Sequence, residues 1–117
     1  MAFKFENLEV WKLSLEYCDQ IYDIVDLLPN KEEYNLKTQI RRAVTSISLN
    51  IAEGSTSQSD PEFSRFLGMA IRSCMEVIAC LHLAKRREYL NDKIFTQAYQ
   101  SGAKLFAKLQ ALRKKLK

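Results

Sequence analysis

"SDPEFSRFLGMAIRSCMEVIACLHLA", residues 59–84, decides the fold. Phe63, Leu67, Ala70, Cys74, Val77, Leu81 and Ala84 recur at strict four-three spacing. That spacing puts them on one side of a helix and forms the seam of a left-handed bundle. The start is well marked. Ser59-Asp60-Pro61-Glu62 fits a capping box in which Ser59 caps and Glu62 reaches back; alternatively Asp60 caps and Pro61 takes the first helical position. This helix should run to about Glu88.

The flanking segments repeat the helical rhythm, and none alternates for long with period two. A first helix is expected from about Asn7, its cap, to Leu28, with Pro29 stopping it. Its seam reads Leu8, Trp11, Leu15, Cys18, Tyr22 and Val25. A second is expected from about Asn35 to Glu53, with Leu36, Ile40, Ala43, Ile47 and Ile51 inward and Gly54 as a left-handed C′ residue. Asn91 should cap a fourth, whose inward set is Ile94, Ala98, Leu105, Leu109, Leu112 and Leu116. Short connections make neighbours antiparallel, so the expected fold is all-α: a single-domain, up-down-up-down, left-handed four-helix bundle over residues 1–117.

That bundle has apolar surface to spare. The first helix carries a second stripe, Val10, Leu13, Tyr17, Ile21, Ile24 and Leu28, turned about 100° from the first. The third adds Phe66, Ile71, Met75 and Ile78. A bundle helix needs an apolar arc only somewhat wider than ~100°. Either the core is unusually thick or copies of the chain cover one another, and self-association is the expectation.

At 117 residues, 47% apolar and 27% charged, this is the composition of an ordinary globular domain. Cys18, Cys74 and Cys80 lack a framework spacing, which favours reduced thiols. The opening residues lack the apolar core of a signal peptide. No apolar run approaches the ~20 residues of a membrane span, so a cytoplasmic protein without a membrane partner is expected. The net charge of +4 is unevenly spread. Residues 1–36 carry three basic and eight acidic groups, whereas residues 85–117 carry ten basic and two acidic. A basic last third suits an anionic partner, and it also suits helix C-termini.

Inside the second helix, Gln39, Arg42, Ser46, Asn50 and Glu53 form a polar stripe beside the apolar seam. Glu53 stands near the negative end of the helix dipole and should find a donor, with Arg41, Arg42 and the start of the third helix as candidates. Asn and Glu without a nucleophile or a metal do not define a reaction, so the stripe reads as a structural or interface network.

Several separated blocks then resemble one family. "FENLEVWKLSLEYCDQIY", "LLPNKEEY", "LKTQIRRAVTSISLNIAEGS" and "DPEFSRFLGMAIRSCMEV" look like the 23S ribosomal RNA intervening-sequence proteins, small bacterial four-helix bundles also labelled S23 ribosomal proteins. The resemblance covers roughly residues 3–90 and is strongest at residues 39–43 and 50–54. It implies a four-helix bundle assembled side by side as a homopentamer. No catalytic residues are established for the family, so none carries over.

Other chemistry is sparse. His82 and Cys80 point to different faces of a helix and cannot chelate together, so neither metal nor cofactor is expected. There is no glycine-rich phosphate loop and no hydrolase motif. Lys104, Lys108 and Lys115 fall close to one face of the fourth helix, and Arg113, Lys114 and Lys117 extend the basic cluster. Such a patch suits backbone-directed nucleic-acid binding without base reading, although a solvated face would look the same. The expectation is therefore a non-enzymatic homo-oligomer. Its tentative nucleic-acid residues are Lys104, Lys108, Arg113, Lys114 and Lys115, with rRNA as one candidate partner. A protein-binding adaptor is the alternative.

Overall fold

The computed structural model describes residues 2–116. Among them are four α-helices and no strand: α1 (Glu9–Val25), α2 (Leu36–Ser55), α3 (Asp60–Arg86) and α4 (Asp92–Lys115). Short 3₁₀ turns, Lys4–Asn7 and Asn30–Glu32, precede α1 and α2. Each helix packs on its chain neighbours and α4 returns to α1, giving a rod 44 Å long and 23 Å across.

Paired side chains fix the directions. Ser46 meets Ser73, while Gly54 further along α2 meets Phe63 and Phe66 at the start of α3. Lys85 meets Asp92, and Arg113 near the end of α4 reaches Ser64 near the start of α3. Tyr17 meets Gly102, whereas Glu9 meets Lys108. The pairs α2–α3, α3–α4 and α1–α4 are therefore antiparallel, which makes α1 and α2 antiparallel as well.

The α3 seam is buried along its whole length, from Phe63 to Ala84. Ser59 and not Asp60 is the cap, its Oγ accepting from the Glu62 amide at 3.3 Å with Pro61 in the first turn, but only this half of the capping box is formed. Asn91 caps α4 in the same way, accepting from the Ile94 amide at 2.8 Å. An 18-residue window of α3 has a mean hydropathy of 1.5, so by length and composition this helix could cross a membrane. The sequence reading did not anticipate that, and the structure gives the apolar residues a different use, as the seam of the core.

Four expectations are corrected. In α1 the core stripe is the second one: Val10, Tyr17, Ile21 and Ile24 are buried, and so is Leu28 just beyond the helix. Of the first stripe only Val25 is buried; Leu8, Trp11 and Cys18 are half-buried, and Leu15 and Tyr22 are exposed. Asn7 ends the 3₁₀ turn, so Leu8 occupies the cap position of α1 without a capping side chain. Gly54 is helical and buried, and α2 ends with Thr56 at φ −89°. A Cβ at Gly54 would lie 2.6 Å from Phe66 Cβ and 2.9 Å from Phe63 Cδ1, so its small size serves close packing against α3. In α4, Phe95 and Gly102 join the buried set, while Ile94, Leu112 and Leu116 are only half-buried.

The left-handed residue is Glu88, at φ 64°. It occupies C′ of a Schellman motif closing α3, in which its amide bonds Lys85 O at 2.8 Å and the Tyr89 amide bonds Ala84 O at 2.9 Å.

Candidate functional site

The polar stripe of α2 divides into an inner and an outer part. Asn50 Nδ2 donates to the carbonyl and the hydroxyl of Ser46, each at 2.9 Å, and Ser73 Oγ donates to Ser46 Oγ at 3.0 Å. Ser46 and Asn50 are half-buried members of a chain tying α2 to α3. Gln39, Arg42 and Glu53 are exposed. Gln39 Nε2 reaches back to Asn35 Oδ1 at 3.4 Å.

The donor expected for Glu53 is not there. Arg41 is engaged with Glu33 at 2.6 Å, and among the described residues the side chains of Glu53 and Arg42 have no partner. Arg42, Asn50 and Glu53 line a shallow depression of about 520 Å³ together with Leu49, but they are spread along it. Arg42 and Glu53 stand roughly 16 Å apart along the helix, at ~1.5 Å per residue.

The basic residues of α4 part to both sides of the helix. Lys108 pairs with Glu9 of α1 at 3.3 Å. Lys104 borders a cleft between α1 and α4 together with Glu16 and Gln20. Arg113 turns the other way: its Nε donates to Ser64 Oγ at 3.1 Å, and its guanidinium lies over Gly68, within 3.0 Å of where a Cβ would be. Lys104, Lys114 and Lys115 have no ion-pair partner among the described residues. Lys117 lies outside them. At the opposite end, Arg86 and Arg87 border a depression with Glu32. The Tyr89 hydroxyl donates to Glu32 at 2.9 Å and is the main reason its carboxyl is held below the usual range.

Two apolar surfaces stay open. Leu49 and Tyr22, both exposed, line the depression on α2, and Leu15 is exposed on α1. On the other flank, Met75, Ile78, Tyr99, Ala103 and Phe106 line a groove between α3 and α4. Leu49, Tyr99 and Phe106 escaped sequence reasoning: Tyr99 and Phe106 sit one position off the apolar stripe of α4, and Leu49 lies on the polar face of α2 between Ser46 and Glu53. Their size and spacing were the only signal. His82 packs edge-on against Phe95 and Tyr99, with ring centroids 5.0 and 6.0 Å away. No group of three or more His, Cys, Asp or Glu side chains able to hold a metal occurs among the described residues. All three cysteines are free, and burial pushes the Cys74 thiol up to about 11.

An antiparallel four-helix rod with a basic last helix defines a small all-α bundle protein. The chain belongs to the 23S rRNA-intervening sequence protein family, whose model matches residues 6–111 and so extends the likeness well into α4. The fold is also that of a crystallised protein of unknown function from the S23 ribosomal protein family of Bacteroides thetaiotaomicron. The two are 27% identical over 90% of this chain and 98% of that one, with a TM-score of 0.83. No curated protein matches the sequence.

Proposed function

We propose that the protein is a non-enzymatic, homo-oligomeric bundle of the bacterial cytoplasm that binds structured nucleic acid, rRNA among the candidates, through α4. The observation that carries this reading is the charge of α4. It has six basic residues, and its single acid, Asp92, is paired with Lys85. Lys104, Lys114 and Lys115 stay uncompensated and available to phosphates, with Lys108 and Arg113 beside them. Phosphate contacts of this kind release counterions and need no base-reading element. The open apolar flanks support assembly, and the family resemblance supports five copies. In a ring the lysines repeat in every subunit, and weak contacts add.

The test is binding of fluorescent rRNA fragments and duplex DNA in ~50 mM salt, where phosphate contacts are strong. Salt-sensitive binding that weakens for all sequences on joint substitution of the five α4 residues by Ala is expected. No binding of either nucleic acid by the wild type overturns the reading. The alternative, an adaptor for another protein, draws on exposed Leu49 flanked by unpaired Arg42 and Glu53. It predicts a captured partner that survives nuclease treatment.

A further inference from the structure

The outward side of α3 carries a basic line of its own. Seven residues turn a helix through almost two full turns, so Arg65, Arg72 and Arg86 share one face, opposite the buried seam from Phe63 to Ala84. The line spans roughly 32 Å, at ~1.5 Å per residue. Each of these arginines is exposed, and none has an ion-pair partner among the described residues. Glu62 and Glu76 are their acidic neighbours on α3, and neither is paired with them. Beside the line runs the apolar groove between α3 and α4, which encloses about 260 Å³. Met75 follows Arg72 by three residues and His82 precedes Arg86 by four, so line and groove adjoin. The Tyr99 ring, 42% exposed, meets His82 edge-on with centroids 6.0 Å apart. Cations stand at both ends of the flank. Lys85 lies 4.6 Å from the Phe95 ring centroid, and Arg113 lies over Gly68, three residues beyond Arg65.

We infer that this flank takes an unpaired RNA strand, with its phosphates on Arg65, Arg72 and Arg86 and its bases against Tyr99 and Phe106. This rests on the nucleic-acid reading, and it adds the form of the ligand and a second surface that meets the basic end of α4 at Arg113. A guanidinium stays charged and grips phosphate oxygens with two hydrogen bonds at once. Bases freed from a duplex stack on aromatic rings and on guanidinium planes, whereas paired bases are stacked on one another and cannot enter a groove. A peptide helix bearing acidic side chains is the competing occupant. The strand fits better, because the arginines follow the whole length of the flank along a ridge outside the groove. A strand carries a phosphate at every nucleotide, while a helix seated in the groove offers the ridge only one edge of its side chains. The flank of α1 and α2, with Leu15, Tyr22 and Leu49, is left for contact between copies.

The experiment uses full-length protein and an unstructured oligoribonucleotide of ~12 nucleotides. One of its bases is a fluorescent analogue that dims on stacking, and the same strand annealed into a duplex is the comparison. The wild type should bind the single strand more tightly than the duplex and quench the analogue. Tyr99→Leu keeps an apolar surface and removes the ring; it should weaken the single strand about tenfold and lose most of the quenching, with duplex binding unchanged. Phe106→Leu should repeat that pattern. Arg72→Ala and Arg86→Ala should each lower the salt slope for the single strand by up to ~0.7. Circular dichroism should show unchanged helical content in all four variants. Binding and quenching that survive these substitutions, but not the joint loss of Lys104, Lys114 and Lys115, overturn the flank and leave the nucleic-acid reading standing. An oligomer that Tyr99→Leu reduces to monomers shows the groove covered by another copy and overturns it too. So does a wild type that ignores the strand and seats a synthetic acidic amphipathic peptide in the groove. A wild type that binds no nucleic acid in either form overturns both.

Discussion

The hydroxyl of Tyr17 stands 2.6 Å from the place a Cβ on Gly102 would take. Tyr17 is buried, its oxygen has no hydrogen-bond partner, and burial pushes the phenol pKa up. The close approach of α1 to α4 depends on residue 102 having no side chain.

Gly102→Ala should therefore lower stability by about 1–3 kcal/mol, the usual range for overpacking a filled core. Tyr17→Phe removes an unsatisfied buried hydroxyl and should be neutral or stabilising by up to ~1 kcal/mol. Combined, the two should be less destabilising than their sum, because the clash is with the deleted oxygen. Urea denaturation of the four proteins measures this.

Gly54→Ala should be harder to accommodate. The nearest atom is Phe66 Cβ, which is fixed to the α3 backbone and cannot swing aside. A loss of about 2 kcal/mol or more is expected, visible in the same denaturation assay, with no compensating partner mutation among single side-chain truncations beyond Cβ.

Glu88→Gly should act in the opposite direction. A left-handed residue with a Cβ carries a conformational penalty of roughly 1–2 kcal/mol, partly offset by the greater freedom of glycine in the unfolded chain. A net gain of about 0.5–1 kcal/mol in thermal or urea unfolding is expected, with the Schellman bonds unchanged.

Acid should weaken the loop between α1 and α2. Glu32 is held below its ordinary pKa chiefly by the Tyr89 hydroxyl, and Glu33 chiefly by its hydrogen bond from Arg41. A lowered folded-state pKa contributes stability above the unfolded value, and that contribution is lost as pH falls through the folded one. Stability should hold from neutral pH to the ordinary carboxylate range and decline below it. Glu32→Gln combined with Glu33→Gln should make that acid limb shallower in urea titrations across pH.

Phosphate binding should separate the basic residues of α4 by their present partners. Each of Lys104→Ala, Lys114→Ala and Lys115→Ala should reduce the slope of log affinity against log salt by up to ~0.9 for duplex DNA. Lys108→Ala should reduce it less, because Glu9 already neutralises that ammonium. Salt titration of binding anisotropy reads the difference.

What the sequence disclosed follows the physics of each element. The α3 seam was legible because its four-three spacing has one reading, and the caps at Ser59 and Asn91 were legible because they act within three residues. Both stripes of α1 are apolar, so periodicity could not choose between them. The buried stripe also contains Ser14, whose hydroxyl is satisfied internally by donating to the Trp11 carbonyl at 2.6 Å. The polar stripe of α2 was legible as a face, but its role was not: Asn50 acts through Ser46 on Ser73, which belongs to another helix. Arg113 and Lys108 were legible as charges only. Their partners Ser64 and Glu9 lie 49 and 99 residues away along the chain.

Arg113 lying across Gly68 has one more consequence. The guanidinium is a clasp holding the last turns of α4 against α3 through Nε, while the Nη groups of this exposed side chain keep donors to spare. A phosphate bridging those donors would brace the tip of the rod, so that occupancy by a polyanion is linked to the firmness of a helix end.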